Sequence, residues 1–293
     1  MINLCDKYIG VGIYLEFFDS LSDALMEAID IGLYVMCFSL GRSRSMTRKR
    51  IENTDLNICM GLSTRFPMIL FSQIPDMYNL AGSRKCLAWN GNEVQDNLTV
   101  NIIKEIEYEL YTLARLGGSV IAELGSYLDQ RRGMLAVVKT INHLRFKLGY
   151  RLILINSLDE YNKLGKTMGD LHQVYTSIDK SSKKHVGIGF NLAYLFANGV
   201  YDFTQPDEIR RLFSDYKTSF GKRVPISVIF LYDTTEPFNS KRFSAAPLGN
   251  GLLWNDETLS VLLQICTQKN IPVVTSHENE LCLEYTRGLS SNF

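Results

Sequence analysis

Hydrophobic positions along this chain fall into two alternating patterns. Short continuous apolar runs, such as YIGVGIYL at 8–15, LYVMCFS at 33–39, YRLILIN at 150–156 and PISVIFLY at 225–232, suit strands buried on both faces. Between them lie longer stretches whose apolar residues recur every three or four positions. Leu21, Ala24, Leu25, Ala28 and Ile29 do so in 21–31, and Ile102, Ile103, Ile106, Leu110 and Leu113 in 100–116. That spacing lines one face of a helix. The segment 113–129, LARLGGSVIAELGSYLD, shows the unit in miniature. A helix stops at Gly117-Gly118, where glycine takes the left-handed conformation without a Cβ clash. An apolar strand follows at 119–122, and Glu123 stands at its exit. Further strands at 67–72, 186–191 and 272–276, and further helices at 133–148, 164–178, 206–220, 256–266 and 278–285, complete the alternation. The loops at 73–95 and 233–254 are the long ones. Eight strand–helix units predict parallel strands with helices outside, closed into a single (β/α)8 barrel over residues 1–293. In such barrels the chemistry sits at the carboxyl ends of the strands, where Glu123 falls.

Composition changes this picture little. The chain of 293 residues is 46% hydrophobic and 21% charged, an ordinary globular balance. Thirty-one basic residues against 31 acidic give no net charge, so any surface for nucleic acid must be local. Six cysteines without CxxC spacing read as reduced and mostly buried, which fits an intracellular protein. The sequon at Asn97 is then a chance match. No run reaches the ~18 apolar residues of a membrane span, so no membrane association is expected.

Several segments together resemble the endonuclease IV family, zinc-dependent abasic-site endonucleases among the xylose-isomerase-like TIM barrels. Pro75, Asn79, Leu80 and Ala81 match that family's H-x-P-Y-L-x-N-L-A loop after the third strand. The stretch around Glu123 resembles its fourth-strand segment, including the Gly125-Ser126 that follows. VGIGFNLAYLFANGVYD at 186–202 is similar to its sixth-strand segment, and 230–251 to the loop that runs through its DRH motif. The resemblance implies a barrel with three zinc ions held at the mouth by histidines and carboxylates.

Carried over position by position, that ligand set is mostly missing. The third-strand histidine falls on Gln73, and the fourth-strand one on Glu123. The fifth-strand glutamate falls on Ile155, before Asn156. The sixth-strand aspartate and histidine fall on Asn191 and Tyr194, and the seventh-strand histidine on Phe230. The Asp and His of DRH fall on Phe243 and Ala245, the last-strand glutamate near Ser276, and a first-strand histidine on Tyr14. Glu123, Asp233, Glu236, His277 and Glu278 remain as candidates for a single rebuilt metal site, or as loop-end residues bonded to the protein itself. Zinc chemistry is expected to be lost, with no cofactor; retained zinc is the competing expectation.

The basic stretch Arg42, Arg44, Arg48, Lys49 and Arg50 occupies the loop that contacts DNA in the family, and supplies candidate phosphate contacts. Its alternative reading is an ordinary solvated helix start. Arg131-Arg132 and Lys183-Lys184 are similar, and Tyr78 and Trp89 could stack on bases or pack their loop. Two functions therefore compete. One is an inactive barrel serving as a binding or structural component, with an unidentified protein partner and weak non-specific DNA affinity. Relatives of the family occur in large DNA viruses, so a virion-associated role goes with it. The other is an abasic-site endonuclease or other phosphodiesterase with a reduced metal site.

Overall fold

The structure, a computed structural model, describes residues 11–15, 20–30, 32–41, 48–75, 78–82 and 97–275. Its elements in chain order begin with β1 (Val11–Leu15), α1 (Leu21–Asp30), β2 (Val35–Phe38), α2 (Asn53–Arg65), β3 (Ile69–Gln73), α3 (Asn97–Arg115) and β4 (Ser119–Glu123). They continue with α4 (Gln130–His143), β5 (Leu152–Ile155), α5 (Met168–Ser177), α6 (Lys180–Lys183), β6 (Val186–Asn191) and α7 (Leu192–Ala197). The last are α8 (Pro206–Phe220), β7 (Ile226–Leu231), β8 (Asp233–Thr234), β9 (Ala245–Ala246), α9 (Asp256–Lys269) and β10 (Val273–Thr275). Eight parallel strands close a barrel in the order β1-β10-β7-β6-β5-β4-β3-β2, with β1 paired to both β10 and β2. The barrel expected from the apolar runs is the one observed.

Because each strand is covered on both faces, the core has two layers. Leu70, Leu110, Val137, Leu154 and Leu263 fill the outer layer between sheet and helices. Val35, Cys37, Phe71, Ile121, Ile153, Ile155, Val228, Phe230 and Val274 fill the lumen. Each such side chain contributes roughly 1.5–3 kcal/mol by leaving water. Gly117, at φ 74°, makes the turn between α3 and β4. Among the described residues no helix is long and apolar enough to cross a membrane.

Several boundaries differ from the sequence reading, each for a local reason. α4 starts at Gln130 because Asp129 caps it, accepting from the Arg132 amide at 3.0 Å, and it stops where Leu144 turns extended. α5 begins at Met168 behind a reciprocal cap of Thr167 and Asp170. Gly165 before it, at φ 77°, belongs to the loop. The polar linker before β6 holds the short helix α6, and the long loop after β7 carries the antiparallel pair β8–β9. The helix expected at 278–285 lies outside the described residues.

Candidate functional site at the barrel mouth

Glu123 ends β4 with its side chain 8% exposed, and Lys163 Nζ lies 2.9 Å from its Oε2. Lys163 arrives there because the β4–α4 and β5–α5 loops are zipped together. Tyr127 N donates to Asn162 O at 2.8 Å, Leu164 N donates to Gly125 O at 2.8 Å, and Ser126 bridges to Lys163. Asn79 clasps the same loop from β3's side: its Oδ1 accepts from Ser126 N and its Nδ2 donates to Ser126 O. The surviving carboxylate thus faces an ammonium, which supplies the positive charge a cation would otherwise bring.

Asp233 is 1% exposed, and its carboxylate is consumed by the backbone. Oδ1 accepts from Thr234 N at 2.8 Å and Leu253 N at 3.1 Å; Oδ2 accepts from Gly249 N at 2.9 Å and Gly251 N at 3.1 Å. Burial pushes this carboxyl above its ordinary range, and the four amides pull it back only in part. Two oxygens offer about four lone-pair directions, so little remains for a metal. Gly251 must be glycine, since a Cβ there would lie 2.2 Å from Asp233 Oδ1. Asp233 therefore pins the 233–254 loop, in line with the reading of it as a loop-end residue bonded to the protein itself. Glu236 sits in the same loop and accepts from Ser244 Oγ at 2.8 Å.

The positions that fell on Asn and on aromatics have taken structural work. Asn156 and Asn191 lock β5 to β6: Asn156 Nδ2 donates to Asn191 O at 3.0 Å, and Asn191 N donates to Asn156 Oδ1 at 2.8 Å. Asn191 Oδ1 also caps α7 by accepting from Tyr194 N. Ile155 and Phe230 are buried in the lumen. Above Phe230 the rings form a run: Phe230 to Tyr232 at 5.7 Å, Tyr232 to Phe243 at 6.3 Å, and Phe243 to Tyr194 at 5.4 Å. Gln73 is half-buried at the end of β3, and Ala245 is exposed in β9. Among the described residues no three His, Cys, Asp or Glu side chains come together to hold a metal ion. Among the described residues, the positions that the resemblance assigns to zinc ligands carry Gln73, Ile155, Asn191, Tyr194, Phe230, Phe243 and Ala245, which do not fit a zinc cluster of that kind. The Tyr14 side chain, Ser276, His277 and Glu278 lie outside the described residues.

The basic stretch divides on inspection. Arg48 is a correction: its side chain is buried, with Nε donating to Glu109 Oε1 at 2.6 Å and Nη2 to Ser39 Oγ at 3.1 Å. Ser72 donates to the other Glu109 oxygen at 2.6 Å. Arg48 thus has no surface to offer a phosphate; it holds the β2 loop against β3 and α3. Burial raises the Glu109 carboxyl above its ordinary range, more than Arg48 and Ser72 lower it. Arg50 remains exposed, paired with Glu105 and lying over the Tyr108 ring at 4.0 Å. Lys49 is half-buried, while Arg42 and Arg44 lie outside the described residues. Tyr78, 1% exposed, packs its loop and cannot stack on a base. Trp89 lies outside the described residues. Arg131 and Arg132 open α4 at the mouth; Lys183 and Lys184 precede β6 at the other end, so the two pairs share no face.

Sequence reasoning missed Lys163, Glu109 and Tyr232. No spacing flags a lysine that reaches its partner 40 positions away.

No protein-family profile and no curated protein sequence matches this chain. Solved structures do. Endonuclease IV from Thermus thermophilus superimposes with a TM-score of 0.79 at 15% identity, over 97% of this chain and 99% of that one. A crystal structure described as AsfvAP:AG gives 0.71 at 12% identity, over 97% of each chain. D-Psicose 3-epimerase, in the presence of D-fructose, gives 0.61 at 12% identity, over 95% of this chain and 89% of that one. At these identities the likeness is one of fold, and the chain has an endonuclease IV-like barrel.

Proposed function

We propose that this endonuclease IV-like barrel is catalytically inactive and serves as a binding or structural component, in a virion or another assembly, with a protein partner. One observation carries the reading: Glu123 and Asp233, two of the carboxylates that remain at the mouth, are both engaged, Glu123 by Lys163 and Asp233 by four amides. Metal hydroxide chemistry on a phosphodiester needs several anionic or imidazole ligands converging on an open position. Ile155, Phe230, Asn191 and Phe243 cannot provide them.

Any DNA affinity in this reading is weak and non-specific, carried by Arg42, Arg44 and Arg50 rather than by the mouth. Binding of that kind weakens with salt at a slope of about −0.9 per phosphate contacted. The test pairs elemental analysis of purified protein with an abasic-site incision assay in added zinc. Substoichiometric zinc and no incision above background are expected. Stoichiometric zinc together with incision that is abolished by Glu123→Gln would establish instead an endonuclease with a reduced metal site.

A further inference from the structure

Formal charges balance over the whole chain but not in space. The connections leading into β5, β6, β7 and β10 all open at the end of the barrel opposite the mouth. Residues 144–151 bring Arg145, Lys147 and Arg151, and residues 178–185 bring Lys180, Lys183 and Lys184. Lys222 and Arg223 precede β7, with Lys217 and Lys269 in the last turns of α8 and α9. Asp179 is the one carboxylate in these connections. Arg145 is spent on Glu107, and Lys183 donates to Thr176 O. Cations in last turns are also favoured by the helix dipole, which accounts for Lys217 and Lys269 individually. It does not account for Lys222 and Arg223, which lie beyond the helix.

A cavity of about 440 Å³ opens among these residues, between the C-terminal end of α8 and the starts of β7 and β10. Its walls are apolar, with Phe213, Tyr216, Ile226 and Ile271, and three of the cations, Lys217, Lys222 and Lys269, line it. All three lysines are exposed, and none forms an ion pair among the described residues. Tyr216, 5% exposed, has a buried hydroxyl with no hydrogen-bond partner. The dipole leaves Lys222 unexplained, and Lys222 brings a third unpaired ammonium to the crevice that Lys217 and Lys269 line. Lysines suit phosphate as mobile point charges, and three of them exceed what a single carboxylate would recruit. The half-buried ring of Phe213 suits a flat partner, and the volume lies in the range of small-molecule sites, roughly 300–1,000 Å³.

We propose that this cavity binds a phosphorylated ring compound of the nucleoside-monophosphate class. Lys217, Lys222 and Lys269 hold the phosphate, and the ring lies against the half-buried Phe213. The site is independent of the mouth and of the function proposed above. A free nucleotide and the end of a single-stranded oligonucleotide share this chemistry. The experiment is calorimetric titration of the full chain with adenosine monophosphate, adenosine, inorganic phosphate, a short single-stranded oligonucleotide and heparin. The nucleotide or the oligonucleotide is expected to saturate one site, and the better binder identifies the source. Adenosine and inorganic phosphate alone should bind at least about tenfold more weakly, since each lacks half of the recognition. The Lys222→Ala/Lys269→Ala variant, changed only at exposed positions, should lose at least about tenfold in affinity with an unchanged melting curve. Heparin binding as well as either nucleotide probe, or affinity unmoved in the double variant, would overturn the proposal.

Discussion

At the mouth of the barrel Glu123 lies against Lys163 and Asp233 faces four backbone amides, whereas at the opposite end Lys184, Lys222 and Lys269 stand exposed and form no ion pair among the described residues. The first set resembles a site by position; the second resembles one by availability. A buried charge must be met by hydrogen bonds or a counter-charge, because leaving water is expensive. Once met, its lone pairs hold the fold together and are closed to a ligand. An exposed charge costs nothing to leave unpaired in water and stays open to an incoming anion. Strand-end position therefore identifies where this architecture keeps chemistry, and the partners decide whether any is kept.

The comparison is tested first where charge is most deeply buried. Arg48→Met leaves Glu109 buried and unpaired, and should destabilise the protein by roughly 3–5 kcal/mol in urea unfolding. A loss under about 1 kcal/mol would return Arg48 to the surface and to the phosphate contacts. Asp233→Ala strands the amides of Thr234, Gly249, Gly251 and Leu253; about 2–4 kcal/mol is expected, with faster proteolysis in 233–254. Unchanged stability there would free Asp233 for ligation. Lys163→Ala removes a partly exposed partner from Glu123, so after allowance for solvent screening about 1 kcal/mol is expected. The same variant should acquire no zinc, because Ile155, Asn191 and Phe230 are unchanged.

Two smaller effects sharpen the contrast. Partial burial pushes the Asp55 carboxyl up, but hydrogen bonds from Ser22, Leu21 and Ser20 at the start of α1 outweigh it, and the net direction is down from 3.8. A folded value below the unfolded one means that Asp55 contributes stability above pH 3.8 and loses it as pH falls through the folded value. Asp55→Asn should therefore lower stability above pH 3.8 and flatten the acid limb of the stability curve; an unaltered limb would detach Asp55 from α1. Last, Lys222→Ala/Lys269→Ala should leave stability within about 0.5 kcal/mol of the wild type. A larger loss would mean that the lysines of the opposite end hold the fold together, like the charges at the mouth.

Hydrophobic patterning was enough to read the barrel, because a parallel strand covered on both faces has to be apolar throughout, as in LILI of β5 and VGIGFN of β6. Helix ends were less legible. The caps at Asp129 and Thr167 look like any other polar residue until the backbone turns, and α6 and the β8–β9 pair are too short to leave a period. For the site, the sequence showed which residue types stood at the mouth, and hence that Ile155 and Phe230 could ligate nothing. What it could not show was the state of the polar survivors. Asp233 is held by Gly249, Gly251 and Leu253, and Glu123 by a lysine on a different loop. Arg48, read as a surface cation, is buried against Glu109, 61 positions away. Hydrogen bonding and desolvation depend on which atoms converge in space, and in a barrel those atoms come from loops far apart in the chain. The cavity between α8, β7 and β10 arises in the same way, from lysines on two connections that become neighbours only when the strands close.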